Sequence, residues 1–414
     1  MYRSYDGTCN NLDHPVWGSS MRGLARLAAS VYSDADLGPR LSEDGSPLPS
    51  ARLVSLRLGM VAADSERGDL SGHMMQWGQF LTHDMDHTPE ALPPHVHDCC
   101  QDNHNSSVCA PISIPGDDPL YGPISKTCMN FVRSTLAEKR CPDDADEQIN
   151  IKTSFLDGSM IYGSTLEQVK NLRLFQGGKK KETSENLLLS ATGGECTIDL
   201  ADCFLSGDRR LNEQPGLTLY HTIWMREHNR LAEALGTLRP GAGDEELFQE
   251  ARSIVIAELQ MITFNEFLPL ILSEEDMSEL SEDDVYDPTL DATISNAFST
   301  AAFRFGHSQV PEKLRFSSIG CPRKNLEGTN LRDSFFNPSI LHIPVKTDEH
   351  ISGLGAGTVR DPGSAFSLSV SGQLFAHRDS EAAGLGEIGQ DLLALNVQRG
   401  RDHGLPGYNK FRCD

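Results

Sequence analysis

The segment His73-Met74-Met75-Gln76-Trp77-Gly78-Gln79-Phe80-Leu81-Thr82-His83-Asp84-Met85-Asp86 holds the residue types best suited to chemistry. On a helix Gln76, Gln79 and His83 share one face, because steps of three and four return to the same side, and that face can present an imidazole to a cavity. Asp84 points about 100° away and is placed to bind something on the far side of that helix. A lone histidine on an amphipathic helix is more often structural than catalytic, so this face by itself leaves both roles open. In Thr153-Ser154-Phe155-Leu156-Asp157-Gly158-Ser159, alternate residues offer hydroxyl, backbone carbonyl, carboxylate and hydroxyl oxygens, the hard ligands that Ca²⁺ accepts. The stretch lacks the dense carboxylates of an EF-hand, so a calcium ion here needs an acid from elsewhere, with Asp84 the candidate. Without a cation it reads as a turn built on Asp and Ser. Three more segments carry chemistry: Gly207-Asp208-Arg209-Arg210-Leu211-Asn212-Glu213-Gln214-Pro215, Phe303-Arg304-Phe305-Gly306-His307, and Leu395-Asn396-Val397-Gln398-Arg399-Gly400-Arg401-Asp402-His403-Gly404. Taken singly, each is compatible with capping and ion pairing at helix ends.

The elements that must position these residues are helical. Leu217, Tyr220, Trp224, His228, Leu231 and Leu235 recur at steps of three and four, as do Phe248, Ala251, Val255, Leu259 and Ile262. Pro269 ends or kinks the second of these helices. Ile294, Phe298, Ala301 and Phe305 form a third stripe running up to His307. Strict polar–apolar alternation is scarce, so the expected fold is mainly α, with very little β and long irregular loops. Ser273–Pro288, with eight carboxylates, reads as a solvated surface loop, and Lys179-Lys180-Lys181 as an exposed turn after Gly177-Gly178. No linker and no repeat of solenoid length is visible, so residues 1–414 are expected to form one large domain.

Charge and cysteine content narrow the function classes. Thirty-six Lys+Arg against 59 Asp+Glu give a formal net charge of −23, which argues against binding nucleic acid through phosphate neutralisation. The longest mainly apolar stretch, Ser253 to Leu272, is interrupted by Glu258, Gln260, Asn265, Glu266 and Pro269, so no segment reads as a bilayer span. Of ten cysteines, Cys99, Cys100, Cys109 and Cys128 fall in a Pro-, Asn- and Ser-rich stretch, and Cys196 stands seven residues before Cys203. Short disulfide-closed loops fit this pattern and imply an oxidising compartment. Asn105-Ser106-Ser107 is a glycosylation acceptor in the same stretch. Met1 to Asn11 shows no secretory signal, so the expectation is an extracellular protein whose signal is not in this chain.

Taken together and in order, from Tyr5-Asp6-Gly7-Thr8-Cys9-Asn10-Asn11 to Arg401-Asp402-His403-Gly404-Leu405-Pro406-Gly407-Tyr408-Asn409, these segments resemble the animal haem peroxidase family, the group of peroxidasin, peroxinectin, chorion peroxidase and myeloperoxidase. The resemblance covers almost the whole chain. It implies a haem b enzyme that uses H₂O₂ to oxidise phenolic or tyrosyl groups, halides or pseudohalides through a ferryl intermediate. His83 then matches the distal histidine, Arg210 the distal arginine, and Gln79 the distal glutamine that contacts water or halide. His307 matches the proximal iron ligand, and Asn396 the residue that accepts a hydrogen bond from its other ring nitrogen. Arg304 and Arg399 match positions near the haem propionates. Asp84, Thr153, Phe155, Asp157 and Ser159 match the family's calcium site. The disulfides implied are Cys99–Cys109, Cys100–Cys128 and Cys196–Cys203.

Departures from the family pattern shape further expectations. Glu213 matches one carboxylate that esterifies haem in many members, but Thr82 stands where the other, an aspartate, is found. Gln214 stands where myeloperoxidase has a sulfonium-forming methionine. At most one ester, through Glu213, is therefore expected, with a lower reduction potential and weaker chloride oxidation. The domain is expected to be truncated at both ends, leaving Cys9 and Cys413 without partners, and Asn337 to Ser380 fits the family only loosely. Two other functions are considered. Arg67-Gly68-Asp69 suggests peroxinectin-like adhesion through an integrin-type receptor, and Thr82 suggests a non-catalytic scaffold, against which intact His83, Arg210, His307 and Asn396 argue.

Overall fold

The computed structural model describes residues 2–34, 36–61, 68–91, 98–101, 107–139, 146–191, 196, 202–282, 286–318, 327–376 and 388–412. The chain is mainly helical. Its helices are α1 (Ala51–Leu58), α2 (Gly72–Met85), α3 (Ser159–Tyr162), α4 (Leu166–Leu172), α5 (Pro215–Leu238), α6 (Asp244–Ile262), α7 (Glu274–Glu282), α8 (Asn296–Thr300), α9 (Pro344–Ala356), α10 (Leu368–Ser371), α11 (Leu392–Asp402) and α12 (Asn409–Arg412). Strand is confined, among the described residues, to four two-stranded pairs. Only Lys313–Phe316 against Glu327–Asn330 is longer than two residues.

Both long helices bracket the stripes read from sequence. α5 opens on Pro215, whose missing N–H costs nothing in a first turn, and the Gln214 side chain accepts from the Gly216 amide. α6 carries Asp244, Glu245 and Glu246 in its first turn, where the helix dipole favours negative charge. It gives way after Ile262 to a π turn, Thr263–Phe267, and then a 3-10 turn, Leu268–Leu270, that opens around Pro269. α2 is locked onto α5 by rings: Phe80 meets Tyr220 at 5.5 Å and Trp77 meets Trp224 at 6.0 Å between centroids. Burying such a side chain stabilises by about 1.5–3 kcal/mol. These contacts therefore fix the rotation of α2, and with it the direction of the Gln79 and His83 face.

α11 is tied down by charge. Arg52 of α1 is buried and pairs with Asp391 at 2.6 Å and Asp118 at 2.7 Å. Asp391 also caps α11 by accepting from the Leu393 and Ala394 amides. No helix among the described residues is long and apolar enough to cross a membrane. Cys99–Cys109, Cys100–Cys128 and Cys196–Cys203 are bridged, as the resemblance implies.

Three readings need correction. The 294–305 stripe is not one helix: α8 stops at Thr300, Ala301 leaves helical geometry at φ −132°, and a 3-10 helix, Ala302–Gln309, carries the chain past His307. The acidic 273–288 segment is not all loop, since α7 forms there on the surface, with Glu274, Glu275 and Asp276 in its favourable first turn. The three lysines are not all exposed. Lys180 is only 2 % exposed, donates from Nζ to the Ile161 carbonyl at 2.7 Å and lies 5.0 Å from the Tyr162 ring centroid. Gly177 and Gly178, at φ 63° and 69°, reverse the chain tightly enough to turn that side chain inward.

Candidate active site

α2 brings Gln76, Gln79, Thr82 and His83 to the wall of a cavity of about 1260 Å³. His83 is buried, its Nδ1 has no hydrogen-bond partner, and that atom lies 3.8 Å from Asp208 Oδ1. Burial first, then the Arg210 charge, holds the imidazole well below its usual value, so it is neutral. Arg210 reaches the same cavity from the 3-10 turn Arg209–Asn212. Asp208 takes three of its hydrogen bonds: the backbone N–H at 2.9 Å, Nε at 2.9 Å and Nη2 at 2.8 Å. Nη2 also donates to the Asp86 carbonyl at 2.9 Å. Lys152 Nζ lies 3.4 Å from the same carboxylate. Burial works against the Asp208 charge, but Arg210 and Lys152 outweigh it and hold the carboxyl well below the usual carboxylate range.

His307 lines the same cavity from its 3-10 helix, with Asn396 of α11 beside it. Burial, then the Arg304 charge, pushes His307 down to about 3, leaving a neutral ring. Asn396 contacts His307 Nδ1 through its side-chain amide at 2.8 Å. The Asn396 Oδ1 also accepts from Arg304 Nη1 at 3.1 Å. Arg304 is half-buried, donates from Nε to the Ser299 carbonyl, and is lowered to about 10 by desolvation, with Asp86 opposing and Arg399 and Arg210 adding to the shift. Arg399 stacks 4.1 Å from the Phe131 ring centroid and pairs with Glu90 at 3.0 Å and Asp402 at 3.2 Å.

Behind α2, Asp84 is fully buried and faces the 153–159 loop. Its carboxylate accepts from the Asp157 and Gly158 amides at 3.1 Å, and its carbonyl accepts from Ser159 Oγ at 2.8 Å. Thr153 Oγ1 and Asp157 Oδ2 are buried without partners. Burial and then the Asp84 charge push Asp157 upward, as expected for two carboxylates sharing one dry site. Gly158, at φ 71°, turns the loop into α3.

A profile of the animal haem peroxidase family matches residues 2–414. The chain belongs to the animal haem peroxidase family. It is 37% identical to the human peroxidasin homolog over 99% of its length, 35% identical to a Drosophila melanogaster peroxidase and 35% identical to pig thyroid peroxidase. It spans 29%, 62% and 48% of those proteins, respectively. Peroxidase A from Dictyostelium discoideum superposes with a TM-score of 0.81 at 30% identity, covering 100% of this chain and 78% of that one. A fatty acid alpha-dioxygenase from Oryza sativa, at TM-score 0.75 and 18% identity, shares the fold.

The cavity suits the family's haem. Two neutral imidazoles border it, and Arg210, Arg304 and Arg399 all line it. Arg304 and Arg399 stand on the cavity wall, where haem propionates would pair with their guanidinium groups. The second site fits a divalent cation by the same logic: two buried carboxylates face each other, with orphaned oxygens on Thr153 and Asp157.

The haem-peroxidase fold thus brings His83, Gln79, Arg210, Glu213, His307, Asn396, Arg304 and Arg399 to one cavity, and Asp84, Asp157 and Ser159 together behind it. Thr82 borders the cavity and donates from Oγ1 to the Gly78 carbonyl at 2.9 Å. Asp208, Lys152 and the half-buried, cavity-lining His87 were not singled out from sequence. Of these only Asp208 had a legible local signal, an N-cap residue two places before Arg210. Arg67 of the Arg-Gly-Asp tripeptide, Asn105 of the glycosylation acceptor, and Cys413 lie outside the described residues. Asp69 is exposed, while Gly68 packs against the Val359 carbonyl. Cys9 is exposed and unbridged among the described residues.

Proposed function

We propose that this chain reduces H₂O₂ and oxidises small donors, namely phenolic or tyrosyl groups, halides or pseudohalides, with haem b held in the cavity lined by His83 and His307. The observation that carries the reading is a neutral, buried His83 beside an Arg210 already fixed by Asp208, on the same cavity as a second neutral imidazole. Bound haem supplies the iron at which the peroxide bond is broken and the oxidising equivalents are stored. With Nδ1 turned toward Asp208, His83 Nε2 is the nitrogen that takes the first peroxide proton and returns it to the leaving oxygen. Arg210 stabilises the negative charge that develops on that oxygen without having to move. His307 is the iron ligand, Asn396 orients its ring, and Arg304 and Arg399 receive the propionates.

Glu213 is the candidate for a single ester. Thr82 has no carboxylate, so a second ester cannot form, which favours a lower reduction potential and weaker chloride oxidation. Asp84, Thr153, Phe155, Asp157 and Ser159 are assigned to calcium, one residue from His83. Three disulfides support a secretory-route, extracellular location.

The test is reconstitution with haem. A Soret band and peroxide-dependent oxidation of a phenolic dye are expected. His83→Leu should keep the band and lose turnover by about 10²–10⁴-fold, and His307→Leu should lose the band. A wild-type chain that takes up haem yet shows no turnover overturns the reading, and haem retained through two bonds after denaturing extraction overturns the single ester.

A further inference from the structure

Gln214 caps α5, but its amide also reaches into the cavity wall, where its atoms can be assigned without ambiguity. The Gly216 backbone N–H donates to one side-chain atom of Gln214 at 2.7 Å. A backbone N–H has no acceptor role, so that atom is Oε1 and the other is the NH₂ nitrogen. This Nε2 lies 2.8 Å from one amide atom of Gln76 and 3.0 Å from one of Gln79. Both must accept, so both are Oε1. By elimination, the NH₂ groups of Gln76 and Gln79 face away from Gln214. The Gln76 nitrogen is buried with no partner, and the Gln79 nitrogen lies 3.5 Å from Glu213 Oε1, at the outer edge of hydrogen bonding. The arrangement needs a glycine at 216, since a Cβ there would collide with Gln76 Oε1 and lie 2.8 Å from Gln214 Oε1.

We propose that Gln214 is a positioning residue that sets the polarity of the cavity wall: through it the Gly216 N–H makes Gln79 offer its NH₂ group, rather than its carbonyl, to ligands, which favours small anions. The proposal rests on the assignment of Gln79 to the peroxide side of the haem. Gln214→Glu reverses the relay, because a carboxylate only accepts. Gln76 and Gln79 must then turn over to donate to it, and Gln79 presents Oε1 to the cavity.

The experiment is a thiocyanate titration of the haem-loaded ferric chain, read from the Soret shift, as a double-mutant cycle of Gln214→Glu with Gln79→Leu. The added negative charge weakens anion binding in both backgrounds, so the cycle isolates the orientation effect. The expected result is that Gln79→Leu alone weakens binding, and that Gln214→Glu raises Kd at least tenfold more with Gln79 present than with Gln79→Leu. Equal effects in the two backgrounds reduce Gln214 to a helix cap and overturn the proposal. No effect of Gln79→Leu alone removes Gln79 from the ligand site and overturns the assignment beneath it. If Gln214→Glu does not fold, Gln214→Met takes its place in the cycle with an expected coupling of about twofold, the cost of freeing an amide to adopt both orientations, and no coupling overturns the proposal.

Discussion

Asp208 gives its carboxylate to three N–H groups of Arg210, with Lys152 and the His83 ring approaching the same oxygens. Asn keeps the shape and removes the charge, leaving the buried Lys152 and the half-buried Arg210 short of a partner. Asp208→Asn should slow the reaction with peroxide by about 10²-fold, the scale of losing one fixed electrostatic stabiliser, as measured by stopped flow on the haem-loaded protein. Stability should fall by about 3–5 kcal/mol, the usual cost of breaking a buried ion pair from one side, as measured by denaturant unfolding. Loss of stability with an unchanged peroxide rate would show that Arg210 holds its place without Asp208.

At the level of elements, two contacts bind α3 to its surroundings, one on each side. Lys180 holds the carbonyl of Ile161, and burial lowers the lysine to about 7. An unfolded chain keeps that proton up to about pH 10.4. Between these values the unfolded state binds more protons, so stability should rise with pH from about 7 to 10, and the gain should be lost again as pH falls through 7. Lys180→Met should abolish this alkaline rise in a series of denaturant titrations. On the other side of α3, Asp84 and Asp157 gather the start of the helix behind His83. If calcium occupies this site as proposed, its chelation should leave two facing carboxylates in a dry site, lower the melting temperature and weaken haem uptake. Calorimetry and Soret titration with and without chelator check both effects.

For the molecule as a whole, a formal charge of −23 surrounds a cavity whose chemically important charges are positive. An anionic donor would be repelled at long range and attracted only once inside. Raising ionic strength from 0.01 to 0.15 M shortens the screening length from about 30 to about 8 Å. Oxidation of an anionic donor should therefore speed up a few-fold in kcat/KM across that range, while a neutral phenol should change little.

What the sequence determined by itself is everything set by neighbours along the chain. Helical spacing alone placed Gln76, Gln79 and His83 on one face and Asp84 on another, and the two long stripes became α5 and α6 nearly end to end. The third stripe failed because spacing of apolar residues alone does not show where a helix is interrupted: the chain leaves helical geometry at the exposed Ala301 and continues as a 3-10 helix. Lys180 read as exposed because composition records a charge but not the carbonyl from another segment that receives it. Only the tertiary structure could decide that Asp208 stands between Arg210 and His83 and that Gln214 meets Gln79, partners up to 135 positions apart. Local sequence sets the direction of a side chain on its own helix, whereas the partner it meets is set by how helices far apart in the chain close around a common core.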